Sequence, residues 1–151
     1  METRIQWIAN QEKNLFSDAW SAAMLKDTLQ YDYNYIAVVF EKAGVTKCSL
    51  IEDCHVSPND LRGYLIINNV AGTSELLRIG IDMQFRKKGY ATCLINWYFE
   101  HISGERYLLE VRANNVNARS LYEKFGYKRI GTRRNYYSNP TEDGMIYERF
   151  V

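Results

Sequence analysis

The sequence predicts an α/β (α+β) fold in which helices flank a mixed central sheet. β-Branched and aromatic runs alternate with segments of helical periodicity, and the strands are joined both by a hairpin and by helical crossovers. Hairpins join antiparallel strands and crossovers join parallel ones, so both pairings are expected in one sheet. The 151 residues match the usual size of one domain, and no repeat or linker interrupts them. We therefore expect a single domain over residues 1–151.

The N-terminal half is predicted to hold two helices followed by three strands. Ser21 is suited to begin the second helix, because its hydroxyl can accept a hydrogen bond from an otherwise unpaired backbone N–H. The strands are rich in β-branched and aromatic residues, and small residues separate the last two. The expected elements are helices at 5–16 and 21–30, strands at 33–42, 63–70 and 75–81, an irregular segment at 43–61 and a hairpin turn at 71–73.

The C-terminal half is predicted to alternate helices with strands. Apolar residues from Ala91 to Ile102 recur at helical spacing, as do those from Ala118 to Phe125. Gly126 then stands where a helix end favours a left-handed residue. In the strand between these helices, alternation should place Glu110 on the face opposite Leu109. The expected elements are helices at 91–102 and 118–125, strands at 107–112, 127–133 and 145–150, and a loop at 135–144.

Composition disfavours several classes of function. The 19 basic and 18 acidic residues nearly cancel, so we expect no nucleic-acid binding. No window reaches 18 apolar residues and the first residues lack the apolar run of a signal peptide, so no membrane association is expected. Three cysteines without an export signal are typical of a reducing compartment. The expectation is a cytoplasmic protein.

Residues 86–91 (R-K-K-G-Y-A) lie between a predicted strand and a predicted helix. The first N–H groups of a helix have no internal partners and carry positive potential, and Gly89 allows close approach to the backbone. These properties suit an anion. The segment lacks both the phosphate-loop pattern and the dinucleotide-binding glycine pattern. From these residues alone, an anion site and a solvated basic turn remain equally open.

Two motifs together resemble the GNAT acetyltransferases. R-K-K-G-Y-A is similar to that family's pyrophosphate loop, and residues 109–127 (L-E-V-R-A-N-N through L-Y-E-K-F-G-Y) resemble its second signature. The resemblance implies the GNAT acyl-CoA N-acyltransferase fold and acetyl-CoA as co-substrate. It also implies a set of cofactor-binding residues, namely Ile79, Gly80, Ile81, Arg86, Lys87, Lys88, Gly89, Tyr90, Ala91, Thr92 and Asn115.

Within that family the sequence resembles the ribosomal-protein-alanine N-acetyltransferases. The run 133–137 (R-R-N-Y-Y) matches a segment of theirs, and Trp20-Ser21 is similar to their first helix start, with Ala19 in place of proline. The resemblance implies a protein N-terminal α-amine as acceptor, such as that of a ribosomal protein. Residues 43–61 depart from the pattern because they exceed the short turn expected there.

The resemblance also implies roles for individual residues. Glu110 matches the general base and Tyr122 the general acid, and a backbone N–H of residues 78–81 would polarise the thioester carbonyl. Independently of the resemblance, Tyr136 and Tyr137 are adjacent tyrosines in a polar loop, where they either pack within the protein or bind an extended peptide acceptor. A protein α-amine has a pKa of about 7.7–8.0, so much of it needs to lose a proton before it attacks. Taken singly, Glu110 is better explained as an ordinary strand carboxylate and Tyr122 as a core residue, and the two motifs together favour the catalytic roles.

Other readings stay open at this point. The acceptor is alternatively a small amine or a lysine side chain, and the chain is alternatively a catalytically silent acyl-CoA-binding module. Cys48, Cys54 and His55 suggest a metal only weakly, because their spacing is not that of a zinc site and a fourth ligand is missing. We therefore expect no metal.

Overall fold

The structure is a computed structural model that describes residues 1–150. Four helices and seven strands follow one another, with short 3₁₀ turns at Ile51–Asp53, Pro58–Asp60 and Met83–Phe85. No helix in this range is long and apolar enough to cross a membrane. The elements are α1 (Glu2–Leu15), α2 (Ala22–Thr28), β1 (Asn34–Lys42), β2 (Val45–Leu50), β3 (Leu61–Val70), β4 (Thr73–Ile81), α3 (Tyr90–His101), β5 (Arg106–Arg112), α4 (Val116–Lys124), β6 (Lys128–Tyr137) and β7 (Glu142–Phe150).

The strands form one mixed sheet in the order β2-β1-β3-β4-β5-β7-β6. Only β4 and β5 pair in parallel, because α3 returns the chain to the edge from which β4 began. The other pairings are antiparallel. The fold class and mixed sheet expected from the sequence are confirmed.

Each face of the sheet is covered by one pair of helices. α3 and α4 pack over a core that includes Leu94, Tyr98 and Leu109, whereas α1 and α2 cover a second core that includes Ile8 and Leu25. In β5 the burial alternates as expected, with Leu109 on the α3–α4 side and Glu110 on the opposite face. The sheet thus separates two surfaces, called here the α3 face and the α1 face.

Two sequence expectations are wrong. Residues 43–61 are not irregular throughout, because Ala43 and Gly44 have φ of 53° and 77° and close a tight hairpin that pairs β2 with β1, while residues 51–60 form a loop with two short 3₁₀ turns. Residues 135–144 are not a single loop either. A register shift between Arg133 and Tyr137 lets β6 continue to Tyr137, so both Tyr136 and Tyr137 lie in a strand, and β7 begins already at Glu142.

The sheet opens between β4 and β5. Their pairing stops at Leu76 opposite Leu109, although both strands continue. At the same level, the β3–β4 register shifts by one residue, so that Leu77 is extra. Leu77 packs in the α1-side core, and the adjacent Arg78 binds Glu12 of α1, so two consecutive side chains point to the same face. This β-bulge bends β4 away from β5 and leaves a wedge-shaped gap.

Candidate active site

Two clefts meet at the gap between β4 and β5. One, of about 760 Å³, runs from the α3 N-terminus past α4 and is called here the cofactor cleft. The other, of about 540 Å³, lies between the segment after α1 and the β6–β7 hairpin and is called the acceptor cleft. Glu110, Arg112 and Tyr137 line both clefts. A molecule in one cleft can therefore reach a molecule in the other through the gap.

The start of α3 forms one end of the cofactor cleft. Gly89 is its N-cap with φ +86° and offers no side-chain hydrogen bond, so the first N–H groups of the helix have no partner among residues 1–150. A Cβ atom at Gly89 would meet no atom within 4 Å, so the backbone is open to a ligand. Lys87 also has positive φ, at 62°. This is the geometry of an anion site at a helix N-terminus.

Most of the residues predicted to bind the cofactor come together in this cleft. Lys88 is the exception, because it lies outside the lining and places its ammonium 5.9 Å from the Phe85 ring centroid. The cleft is lined by the predicted residues Ile79, Gly80, Ile81, Arg86, Lys87, Gly89, Tyr90, Ala91, Thr92 and Asn115.

Asn115 and Tyr122 place α4 against the cofactor cleft. Asn115 is the N-cap of α4, and its Oδ1 accepts a hydrogen bond from the backbone N–H of Ala118 at 3.2 Å. Tyr122 is only 5% exposed and belongs to the α3-face core, yet it lines the cleft. Burial raises the pKa of Tyr122, so its phenol remains protonated at neutral pH. Tyr122 is thus a core residue that also lines the cofactor cleft.

Glu110 stands at the apex of the gap, one residue beyond the last residue of β5 that pairs with β4. Its side chain is 19% exposed, and Oε1 lies 3.3 Å from Nε of Arg133. Its Oε2 is buried and makes no hydrogen bond within residues 1–150. One oxygen of the Glu110 carboxylate is therefore left without a hydrogen-bond donor by the described residues.

The tip of the β6–β7 hairpin closes the acceptor cleft. Tyr136 lines the acceptor cleft but not the cofactor cleft. The centroids of the Tyr136 and Tyr137 rings are 5.0 Å apart. Gly144 makes room for the pair, because a Cβ there would come within 3.2 Å of Tyr136 and 3.3 Å of Tyr137. The guanidinium of Arg112 lies 4.5 Å from the Tyr137 ring centroid and also bonds Glu142 at 3.3 Å. These contacts fix the hairpin over the end of β5.

The model of the acetyltransferase (GNAT) family matches residues 5–127 of the chain. The chain belongs to the GNAT acetyltransferase family. A relative from Bacillus subtilis, named putative ribosomal protein bS18-alanine N-acetyltransferase, is 34% identical over 57% of this chain and 59% of its own length. The Escherichia coli ribosomal protein bS18-alanine N-acetyltransferase is 33% identical over 56% of this chain and 57% of its own length. The matches thus span less than two thirds of either relative.

Solved GNAT structures show the same fold over nearly the whole chain. The ribosomal-protein-S18-alanine N-acetyltransferase from Escherichia coli superposes with a TM-score of 0.77 at 20% identity, covering 97% of this chain and 87% of that one. Ard1 from Thermoplasma volcanium superposes with a TM-score of 0.77 at 16% identity, covering 100% of this chain and 93% of that one.

Sequence reasoning missed three charged residues of this GNAT site. Arg78 lines both clefts and bonds the buried Glu12 at 2.9 Å, tying β4 to α1. Arg112 lies within the second motif, residues 109–127, and lines both clefts. Glu75 lines the acceptor cleft. The alternation of polar and apolar residues along a strand identifies these three positions as polar, but it does not indicate that they lie close together. Their convergence depends on the β4 bulge, which no local signal predicts.

Proposed function

We propose that this chain is an acetyl-CoA-dependent N-acetyltransferase whose acceptor is the N-terminal α-amine of a protein. One observation carries the proposal: Glu110 lines both clefts at the point where they meet, and Tyr122 lines the cofactor cleft. A proton acceptor therefore lies on the acceptor side of the gap and a proton donor on the cofactor side. This is the arrangement that direct transfer between two bound molecules needs.

The cofactor cleft suits a pyrophosphate joined to a long, thin arm. The unpaired N–H groups after Gly89, with Arg86 and Lys87, supply donors and positive charge for the pyrophosphate. Lys88 and Asn115 keep their proposed roles in cofactor binding, but as weaker contacts. Lys88 lies outside the cleft lining, and the Asn115 side chain already caps α4. Acetyl-CoA would supply an acetyl group already activated as a thioester.

The unpaired edge of β4 offers further contacts at the gap. Beyond Leu76, this edge has no partner strand on the β5 side, and Ile79, Gly80 and Ile81 line the cofactor cleft. A backbone N–H here is positioned to polarise a carbonyl oxygen lying in the gap. The acetyl carbonyl would thus face β4 while the amine approaches from the acceptor cleft.

Glu110 and Tyr122 divide the proton transfers. Glu110 removes a proton from the incoming ammonium through its unpartnered Oε2, directly or through water, and such a base contributes about 10²–10⁴-fold. Tyr122 donates its phenolic proton to the departing sulfur, which its raised pKa favours by keeping the phenol protonated. The amine nitrogen forms its bond to the acetyl carbon as the carbon–sulfur bond breaks. The second proton that this nitrogen must lose to become a neutral amide passes through water to the Tyr122 phenolate and restores the phenol.

The acceptor assignment rests on the relatives and on the shape of the cleft. Two curated relatives are named for acetylation of ribosomal protein bS18 at alanine. Tyr136, 50% exposed, and Tyr137 form an aromatic edge along the acceptor cleft that suits an extended peptide. An acceptor made at the ribosome would place the reaction in the cytoplasm.

The proposal is tested by thioester consumption with three acceptor classes: peptides with free N-termini, lysine peptides with blocked N-termini, and polyamines. We expect turnover only with free N-termini, and Glu110→Gln should lower kcat by about 10²–10⁴-fold while acetyl-CoA affinity stays within about twofold. The matched control is Glu100→Gln, because Glu100 is exposed on α3 and outside both clefts. Turnover of polyamines or lysine peptides alone would overturn the acceptor class, and acetyl-CoA binding without any turnover would indicate a silent module.

A further inference from the structure

Glu75 is a second carboxylate on the acceptor side of the gap. In the parallel β4–β5 pairing Glu75 lies opposite Leu108, and Glu110 is two residues further along β5 on the same face. Glu75 and Glu110 both line the acceptor cleft, whereas Glu75 does not line the cofactor cleft. The two carboxylates are thus diagonal neighbours on the α1 face.

The charges in the acceptor cleft are unequally matched. Its lining holds three carboxylates, Asp18, Glu75 and Glu110, but only two guanidiniums, Arg78 and Arg112. Glu75 alone among these five makes no ion pair within residues 1–150. The paired distances are Asp18–Arg78 3.2 Å, Glu110–Arg133 3.3 Å and Arg112–Glu142 3.3 Å.

The surroundings of Glu75 leave its negative charge uncompensated. Burial, and then repulsion from the Glu110 carboxylate, raise the pKa of Glu75, and the positive charge of Arg133 offsets them only in part. A cation bound between the two carboxylates would remove this repulsion. A positively charged ligand in the acceptor cleft would therefore supply the partner that the Glu75 carboxylate lacks.

We propose that Glu75 is a specificity residue that binds the acceptor amine in its ammonium form, beside Glu110, before the proton is removed. The proposal rests on the proposed function, and it names the acceptor as a cation at the moment of binding. Glu110 then takes the proton, while Glu75 keeps its charge and holds the amine at the gap. Binding and deprotonation are thereby assigned to different carboxylates.

The test compares acceptor analogues that differ only in charge. One is a substrate peptide whose N-terminal nitrogen is trimethylated, which keeps its positive charge and cannot be acetylated. The other carries an uncharged tert-butyl group of the same shape in place of that nitrogen. Each is measured as a competitive inhibitor of the wild-type enzyme, of Glu75→Gln and of Glu75→Asp. The control is Glu52→Gln, which removes the same charge from an exposed 3₁₀ turn outside both clefts.

We expect the wild type and Glu52→Gln to prefer the cationic analogue by roughly tenfold, and Glu75→Gln to lose most of that preference while Glu75→Asp regains part of it. For the substrate itself, KM should rise about three- to tenfold in Glu75→Gln with kcat within about twofold. An unchanged preference in Glu75→Gln would overturn the proposal, as would a fall in kcat at unchanged KM. If the wild type acetylates no amine, the proposed function itself has failed, a result distinct from both.

Discussion

Gly89 offers a direct test of the cofactor site, because the fold supplies a matched control for it. Gly89 has φ +86° and Gly44 has φ +77°, and a Cβ atom added to either meets nothing within 4 Å. Gly89 lines the cofactor cleft, whereas Gly44 lies in the β1–β2 hairpin, outside both clefts. Gly89→Val and Gly44→Val therefore impose the same backbone strain at two places, only one of which faces the proposed pyrophosphate.

The expected magnitude follows from the left-handed backbone. Forcing a residue with a Cβ into this region costs about 1–2 kcal/mol, and a β-branched side chain is among the least tolerant. Gly44→Val should lower Tm by about 2–8 °C and leave binding alone. Gly89→Val should relax the loop or fill the approach to the N–H groups of α3, and either effect should weaken acetyl-CoA binding about five- to thirtyfold.

Titration calorimetry with acetyl-CoA, alongside thermal unfolding of both variants, measures these effects. The reasoning is refuted if Gly89→Val remains folded and binds acetyl-CoA as tightly as Gly44→Val does. Equal losses of affinity in both variants would also refute it, since the effect would then come from general destabilisation.

Three further outcomes follow from buried polar groups. Tyr127→Phe removes a buried hydroxyl without a partner in residues 1–150 and should raise unfolding free energy by about 1 kcal/mol at unchanged turnover, whereas Tyr122→Phe should lower kcat. Glu12→Gln breaks the buried ion pair with Arg78 and should cost about 3–5 kcal/mol in urea unfolding. Burial and Glu110 raise the pKa of Tyr137 to about 12, so stability should be complete below about pH 10 and fall as pH rises toward 12, tracked by urea unfolding with tyrosinate absorbance.

Sequence patterns predicted the parts of the fold that local physics determines. The N-cap at Ser21, which accepts from Met24 N–H at 3.2 Å, and the positive φ of Gly126 are local signals. The β2 strand was missed because its exposed edge lacks the apolar alternation that marks a buried strand. For the site, the two motifs predicted that the loop at 86–91, Glu110 and Tyr122 belong to one site. Glu75 lies near Glu110 only because of the register between β4 and β5, which cannot be predicted from the spacing of residues in the sequence.

Register also explains why the proposed acid, Tyr122, and the proposed base, Glu110, lie on different sides of the sheet. Alternation along β5 sends Val111 into the α3-face core and Glu110 to the α1 face, while Tyr122 reaches the cofactor cleft from α4 on the α3 side. In a continuous sheet, backbone would separate the two groups. The bulge at Leu77 removes that barrier where β4 leaves β5, so the proton that Glu110 is proposed to take from the amine and the proton that Tyr122 is proposed to give to the sulfur would belong to a single transfer across the gap.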